Sequence, residues 1–207
     1  VTAQNTKGVK SYYALPLEII EDQLNAVFED FEIKAVKTGM LANESIVEKV
    51  SELLRQKKVE NLVVDPIISS SKGDVLLEGD AISVLAEHLF PLAMVVVPNI
   101  KEASAISGVQ ISNLNDAREA ADKIYNLGAR HVLIKGGHLE DKFSTDILFD
   151  GNVFVEFTEK RVDGADLHGS GCIFSSAIAA ELAKGQTLEN SIRIAKALIT
   201  KKIINSS

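Results

Sequence analysis

Short β-branched runs alternate along this chain with longer amphipathic stretches, and that alternation restricts the fold more than any other feature. A run such as Met94 to Val97, apolar throughout, has to be buried on both faces. Strands of that kind occur in parallel sheets covered by helices. Lys34 to Lys37, Leu62 to Asp65 and His131 to Lys135 read the same way. Between the runs, Leu17 to Phe31, Ser45 to Lys57, Ala81 to Phe90 and Asp116 to Leu127 space apolar residues by three and four, which predicts helices on both sheet faces. Gly128 reads as a helix C-cap. Ile147 to Phe149 and Val153 to Phe157 flank Asp150-Gly151-Asn152, the turn chemistry of an antiparallel hairpin at one edge. Cys172 to Lys184 and Leu188 to Ile204 add two helices separated by Gly185. The class is α/β: a three-layer α/β/α sandwich with a mostly parallel central sheet and an edge hairpin, read as a single domain over residues 1–207.

Charge and cysteine content narrow the partners. Lysine and arginine number 22 against 29 aspartates and glutamates, a net charge of −7, so no basic field is available to hold a nucleic-acid backbone. The longest apolar stretch, Leu92 to Val97, stops at Pro98 and is far too short to span a bilayer. Cys172 is the only cysteine, which excludes an intramolecular disulfide and a cysteine-rich zinc site and suits a reducing, cytoplasmic setting.

The strongest local signal is His168-Gly169-Ser170-Gly171-Cys172, which opens directly into the small-residue stretch Ser175-Ser176-Ala177-Ile178-Ala179-Ala180. Glycines let backbone approach a ligand. The unpaired N–H groups of a first helical turn, with the helix dipole, favour an anion such as phosphate. The same field predicts a lowered pKa for Cys172, fitting it to act as a base. The bland alternative is a tight turn before an inert cysteine.

Asp65-Pro66 and Pro98-Asn99-Ile100-Lys101-Glu102 each follow a predicted strand, where open α/β sheets bind ligands. Asp65, Asn99 and Glu102 carry hard oxygens suited to magnesium or its waters, although Asn99 with Glu102 three residues on also reads as a capping box. Lys135-Gly136-Gly137-His138 follows another strand. Lys135 can meet a phosphate there, while His138, without a partner at metal-ligand spacing, reads as a loop histidine. The Gln4 amide can pair with the edge of an aminopyrimidine, but alone it is no better than a surface polar residue. Arg193, Lys196, Lys201 and Lys202 read as a solvated basic helix face, from which Lys196 can reach toward a nucleotide.

VTAQNT, VKTGML, DPI followed by SKGD, PNIKEA, KGGH and HGSGC stand in this order along the whole chain, which resembles the hydroxymethylpyrimidine phosphate kinases of the ribokinase-like superfamily. The resemblance implies a ribokinase-like fold and transfer of the ATP γ-phosphoryl group, with Mg²⁺, to 4-amino-5-hydroxymethyl-2-methylpyrimidine phosphate in thiamine biosynthesis. It also implies phosphorylation of the free alcohol. By the same resemblance, Cys172 is the catalytic base and the backbone of Gly169, Ser170 and Gly171 forms the anion hole. Gln4, Met40 and Ile67 then contact the pyrimidine, although Met40 also reads as a core methionine. Asp65, Asn99 and Glu102 form the magnesium and phosphate network, and Lys135, Gly136 and Lys196 face ATP.

Two departures stand out. The family's HGTGC is HGSGC here, with Leu167 where a threonine is usual. Members also carry a strand, a glycine-rich segment and a helix ahead of the AQNT motif, so the expectation is an N-terminally incomplete domain. A vitamin B6 kinase on the same fold, acting on pyridoxal or pyridoxine, is the nearest rival. The Cys172 thiol favours the pyrimidine enzymes, because many relatives carry aspartate there. A non-catalytic pyrimidine-binding module is the rival from another class. A homodimer is expected from the edge hairpin. The combined expectation is that Gln4, Met40, Asp65, Glu102, Lys135 and Cys172 meet in one crevice, with Glu102 on a loop.

Overall fold

In this computed structural model the described residues are 1–5, 8–68, 80–136, 143–161 and 169–206. Gly137, His138, Leu167 and His168, singled out above, lie outside them. The chain opens with β1 (Thr2–Asn5) and β2 (Gly8–Tyr12), an antiparallel pair that forms a two-stranded sheet of its own. This hairpin has no counterpart in the sequence pattern, because its residues are exposed or half-buried and no apolar alternation marks it. Next come α1 (Leu17–Asp30), β3 (Val36–Thr38), α2 (Glu44–Gln56), β4 (Leu62–Val64), α3 (Ala81–Val84), β5 (Val95–Val96), α4 (Ile100–Ser107), α5 (Leu114–Tyr125) and β6 (Val132–Ile134). The hairpin β7 (Phe143–Phe149) and β8 (Phe154–Lys160) and the helices α6 (Ser170–Ala183) and α7 (Leu188–Ser206) follow.

The main sheet has the order β3-β4-β5-β6-β7-β8. It is parallel through β6 and antiparallel beyond. Strand alternation divides its apolar residues between two cores. Val63, Val95, Leu133 and Leu148 pack with Phe174 and Ile178 of α6 and Ile192 of α7. Leu62, Val64, Val96, Val132 and Ile134 pack with Val47 and Leu54 of α2 and Ile124 of α5. Each fully buried Val, Leu or Ile contributes about 1.5–3 kcal/mol, which is how strands of two or three residues can stand at the centre of a sheet.

Element boundaries move where polar side chains intervene. Asn43 accepts the Ile46 N–H at 3.1 Å and starts α2 at Glu44. Asn113 accepts from the N–H groups of Asn115 and Asp116, so α5 starts at Leu114. That helix ends at Tyr125, and Gly128, with φ +105°, sits in the turn beyond it instead of at the cap itself. The single helix expected over Ala81 to Phe90 is interrupted. After Val84 the chain widens into a π turn over Leu85–Leu89 and closes as a 3₁₀ turn over Phe90–Leu92. Pro91 lacks the N–H that would continue the ladder, and Leu85, Leu89 and Phe90 are all buried. The hairpin turn is as expected, with the Asp150 carboxylate accepting from the N–H groups of Asn152 and Val153. Its strands run longer than their apolar pattern because pairing continues through polar pairs such as Thr145 with Thr158.

Candidate active site

The parallel strands β3 to β6 present their carboxyl ends at one edge of the sheet, and the candidate residues follow directly. Asp65 leaves β4 with its N–H donating to the Thr38 carbonyl at 3.0 Å, and Lys135 leaves β6 with its N–H donating to the Pro98 carbonyl at 2.9 Å. Asn99 bridges to Lys135 across the end of β5. Asp65 is 2% exposed and its carboxylate is fully engaged. Oδ1 accepts from Lys135 Nζ at 2.8 Å, while Oδ2 accepts from Ser175 Oγ at 2.8 Å and faces Lys37 Nζ at 3.5 Å. Lys135 Nζ also lies 3.9 Å from Glu102 Oε2 and 3.4 Å from where a Cβ on Gly171 would stand. Asp65, Glu102, Lys135 and the start of α6 therefore form one cluster.

Gly169 precedes α6 in the left-handed region, with φ +77°, which a side chain would resist. The first ladder bond of the helix runs from the Ile173 N–H to the Gly169 carbonyl. The N–H groups of Ser170, Gly171 and Cys172 thus belong to the first turn, where a helix has no acceptors of its own to offer. Ser175, one turn further, is wholly buried and donates to Asp65, which ties the start of α6 to the end of β4.

Charge in the cluster follows from burial and pairing. Burial alone would raise Asp65, but Lys135, then Lys37 and the Ser175 hydroxyl, outweigh it and hold the carboxyl below its usual range. Burial works against the Lys135 ammonium, yet the Asp65 and Glu102 carboxylates raise its pKa. Glu102 goes the other way. Burial dominates, Asp65 adds repulsion, and the group is raised to about 7 despite Lys135 and the Asn99 N–H. With Asp65 ionised, Lys37 and Lys135 charged and Glu102 near its midpoint, the cluster carries between zero and one positive charge in a chain of net charge −7. That local sign suits a phosphate.

Three expectations need correction. The Cys172 thiol is not lowered but raised, because partial burial disfavours the thiolate and Asp65 repels it, outweighing the pull of Lys37 and Lys135. This holds although the residue is exposed at the surface. Glu102 is not on a loop. It stands in the first turn of α4, 4% exposed, in a complete capping box: Asn99 Oδ1 accepts the Glu102 N–H at 2.9 Å, and Glu102 Oε2 accepts the Asn99 N–H at 2.7 Å. The capping reading and the site reading therefore hold together. Lys196 does not belong to a solvated face. It is 7% exposed and donates to Asp146 Oδ2 at 2.7 Å.

The ring-contact candidates come from other elements. Ile67 Cδ1 lies 3.4 Å from where a Cβ on Gly39 would stand, so the segments beyond β3 and β4 adjoin. Met40 packs against the core on the α2 side while remaining half-buried. Gln4 is exposed on β1, at a shift in register, with its Oε1 receiving the Thr2 hydroxyl. The network around Asp65 is assembled from the ends of β3, β4 and β6 with α4 and α6, whereas Gln4 belongs to the separate hairpin.

The sequence profile described as phosphomethylpyrimidine kinase matches residues 1–207. The chain belongs to the phosphomethylpyrimidine kinase family. The family is one of phosphotransferases, and the fold is shared with solved kinases. A phosphomethylpyrimidine kinase from Clostridium difficile superposes with a TM-score of 0.84 at 39% identity, over 98% of this chain and 83% of that one. An ADP complex of Bacillus subtilis pyridoxal kinase superposes with a TM-score of 0.86 at 34% identity, over 96% and 74%. Among curated relatives, a probable thiamine biosynthetic bifunctional enzyme of Oryza sativa is 43% identical over 100% of this chain, which spans 38% of that enzyme's length.

Lys37 and Ser175 were missed by the sequence reading. The signal for Lys37 was a lysine between Val36 and Thr38 in a strand, since an unpaired lysine is rarely buried. Ser175 had no such signal beyond its place three residues after Cys172. As for a metal, among the described residues no three His, Cys, Asp or Glu side chains are placed to hold one. The Asp65 oxygens, Asn99 Oδ1 and Glu102 Oε2 are already engaged by protein donors. These groups fit water-mediated contact with a hard cation, not a cage of direct ligands.

The raised Glu102 gives a stability signature. Between pH 4.5 and 7 the folded state holds a proton that the unfolded chain has released, so this group's contribution is full below 4.5 and is lost as pH rises toward 7. The shift corresponds to about 3 kcal/mol. Glu102→Gln keeps an acceptor for the Asn99 N–H. Urea unfolding is expected to show that stability falls less steeply over this interval in the variant than in the parent, with turnover reduced.

Proposed function

We propose that this chain transfers the γ-phosphoryl group of Mg-ATP to the hydroxymethyl oxygen of 4-amino-5-hydroxymethyl-2-methylpyrimidine phosphate, and also to the free alcohol. The observation that carries the reading is the junction of Lys135, held 2.8 Å from Asp65, with the glycine-opened first turn of α6 bearing Cys172. Phosphoryl transfer needs positioning and charge stabilisation more than covalent help, and this junction supplies both.

The substrate hydroxyl gives its proton to the Cys172 thiolate while its oxygen bonds to the γ-phosphorus and the bond from that phosphorus to the ADP oxygen breaks. The N–H groups of Ser170, Gly171 and Cys172 donate to the transferring oxygens. Lys135 offsets charge on the nucleotide side, and Gly136, with no Cβ to meet the Thr145 carbonyl, lets the chain that carries Lys135 lie close against β7. Asp65, Asn99 and Glu102 would hold the waters of a magnesium ion bound with ATP, which would supply neutralisation of phosphate charge. Gln4 hydrogen-bonds the aminopyrimidine edge, with Met40 and Ile67 against the ring. A cytoplasmic homodimer belongs to the same reading. A lone Cys172 suits a reducing compartment, and Tyr13, Ile19, Val27 and Phe31 leave apolar side chains exposed on and beside α1. No helix among the described residues is long and apolar enough to cross a membrane.

The test is ATP consumption with the phosphorylated pyrimidine alcohol, the free alcohol and pyridoxal in parallel. The expected result is a kcat/KM for the pyrimidines at least about tenfold above that for pyridoxal, the worth of one hydrogen bond to the ring. Preference for pyridoxal would transfer the assignment to the vitamin B6 kinases. Pyrimidine binding without turnover would leave only a binding module.

A further inference from the structure

Asp146 lies within β7, far from Cys172 in sequence and outside the network around Asp65. Its carboxylate makes two bonds. Oδ1 accepts the Gly136 N–H at 3.0 Å, and Oδ2 accepts Lys196 Nζ at 2.7 Å from α7. Both side chains are buried, Asp146 at 5% and Lys196 at 7% exposure.

The location matters because β6 leaves its partner here. The β6–β7 ladder ends with Ile134 opposite Ile147, and Lys135 bonds instead toward β5 through the Pro98 carbonyl. The next amide, that of Gly136, is taken by the Asp146 side chain in place of a ladder carbonyl. Gly136 is pressed so close to β7 that a Cβ would run into the Thr145 carbonyl, 2.8 Å from its carbon. The chain is thus pinned on the residue immediately after Lys135.

A buried ion pair is a poor way to gain stability. Each ion loses several kcal/mol of hydration, and apolar residues of similar volume commonly do as well or better. Burial here pushes the Asp146 carboxyl upward against the pull of Lys196, so the hydration loss is not fully offset. What the pair supplies that apolar residues cannot is a fixed acceptor for the Gly136 N–H.

We propose that Asp146, gripped by Lys196, is a positioning residue that holds Gly136 and thereby fixes the path along which Lys135 enters the crevice. This rests on the reading of Lys135 as the lysine that faces the ATP phosphates. Lys196 then acts on the nucleotide through Asp146 and Gly136, not by touching it.

Asp146→Ala and Asp146→Asn both lose the ion pair, but only alanine also loses the acceptor. The expected result is that Asp146→Ala raises KM for ATP at least tenfold relative to Asp146→Asn, with KM for the pyrimidine changed less than twofold and with similar Tm values for the two variants. Equal KM for ATP in both, or changes that track Tm alone, would overturn the proposal. If Asp146→Ala does not fold, Asp146→Leu/Lys196→Met and Asp146→Asn/Lys196→Met carry the same comparison without a buried charge. Hydrogen exchange at the Gly136 amide gives a readout independent of activity. Protection is expected in the asparagine variants and its loss in the alanine or leucine ones, and retained protection in the latter would also overturn the proposal. Lys135→Ala separates the two layers: if it leaves KM for ATP unchanged, the reading of Lys135 fails, while the exchange result still judges the Asp146–Gly136 link.

Discussion

Cys172→Ala is expected to lower kcat by about 10²- to 10⁴-fold, the usual worth of a general base, while the KM for the pyrimidine stays within a few-fold. The alanine keeps the N–H groups of the first turn of α6, so anion binding survives and only proton acceptance is removed. The raised thiol sharpens the expectation. Because desolvation and Asp65 hold Cys172 above the ordinary thiol range, the free enzyme is mostly in the thiol form at neutral pH. The logarithm of kcat/KM should therefore climb with pH at a slope near one, levelling only above the usual thiol pKa of about 8.5. In Cys172→Ala that rising limb should vanish along with the rate. Cys172→Ser should not restore it, since a serine hydroxyl is a poor base in this range. Near-parental kcat in the alanine variant would reduce Cys172 to a packing residue.

Asp65→Asn is expected to damage both fold and turnover. The carboxylate is the counter-ion shared by Lys135 and Lys37, whose side chains are 14% and 17% exposed. Removing one partner from a buried pair costs about 3–5 kcal/mol, which in a domain of this size corresponds to a fall in Tm on the order of 10 °C. Turnover should fall about a hundredfold, because Lys135 and the start of α6, through Ser175, lose their common anchor. Acid should mimic the substitution. A carboxyl held below its unfolded value contributes stability that is present above pH 3.8 and is lost as pH falls through the folded value. The parent should show that acid limb in denaturant titrations and Asp65→Asn should lack it. An unchanged acid limb together with an unchanged Tm would mean that Ser175 and the two lysines do not depend on Asp65.

What was legible in the sequence, and what was not, divides on physical grounds. β4, β5 and β6 fall within one or two residues of their apolar runs, because burial on both faces leaves little choice of residue. β1 and β2 left no trace, since a hairpin with little burial imposes no pattern. Asp65, Glu102, Lys135 and Cys172 were legible because each stands just past a strand or at the start of a helix. Lys37 and Ser175 were not, because their partner Asp65 is distant in sequence. Lys196 was read as solvated for the same reason, its counter-ion lying 50 residues earlier on another element. The direction assigned to Cys172 failed because a helix dipole can be read from local sequence, whereas the loss of water and the charge of Asp65 cannot.

The β1–β2 hairpin pairs apart from the main sheet while Tyr12 packs on that sheet's core, and this separate pairing has a consequence for how such a protein changes over time. The network around Asp65 is built into strand ends and one helix start that share hydrogen bonds and ion pairs, so a substitution there disturbs several partners at once. Gln4 sits on a ribbon with its own pairing and an irregular register, apart from the side chains that bond to Asp65. On the proposed roles of Gln4 at the ring and Lys135 at the phosphates, ring preference is the property freer to drift, and two kinases that share this architecture would diverge in the ring they accept before they diverge in how they move a phosphate.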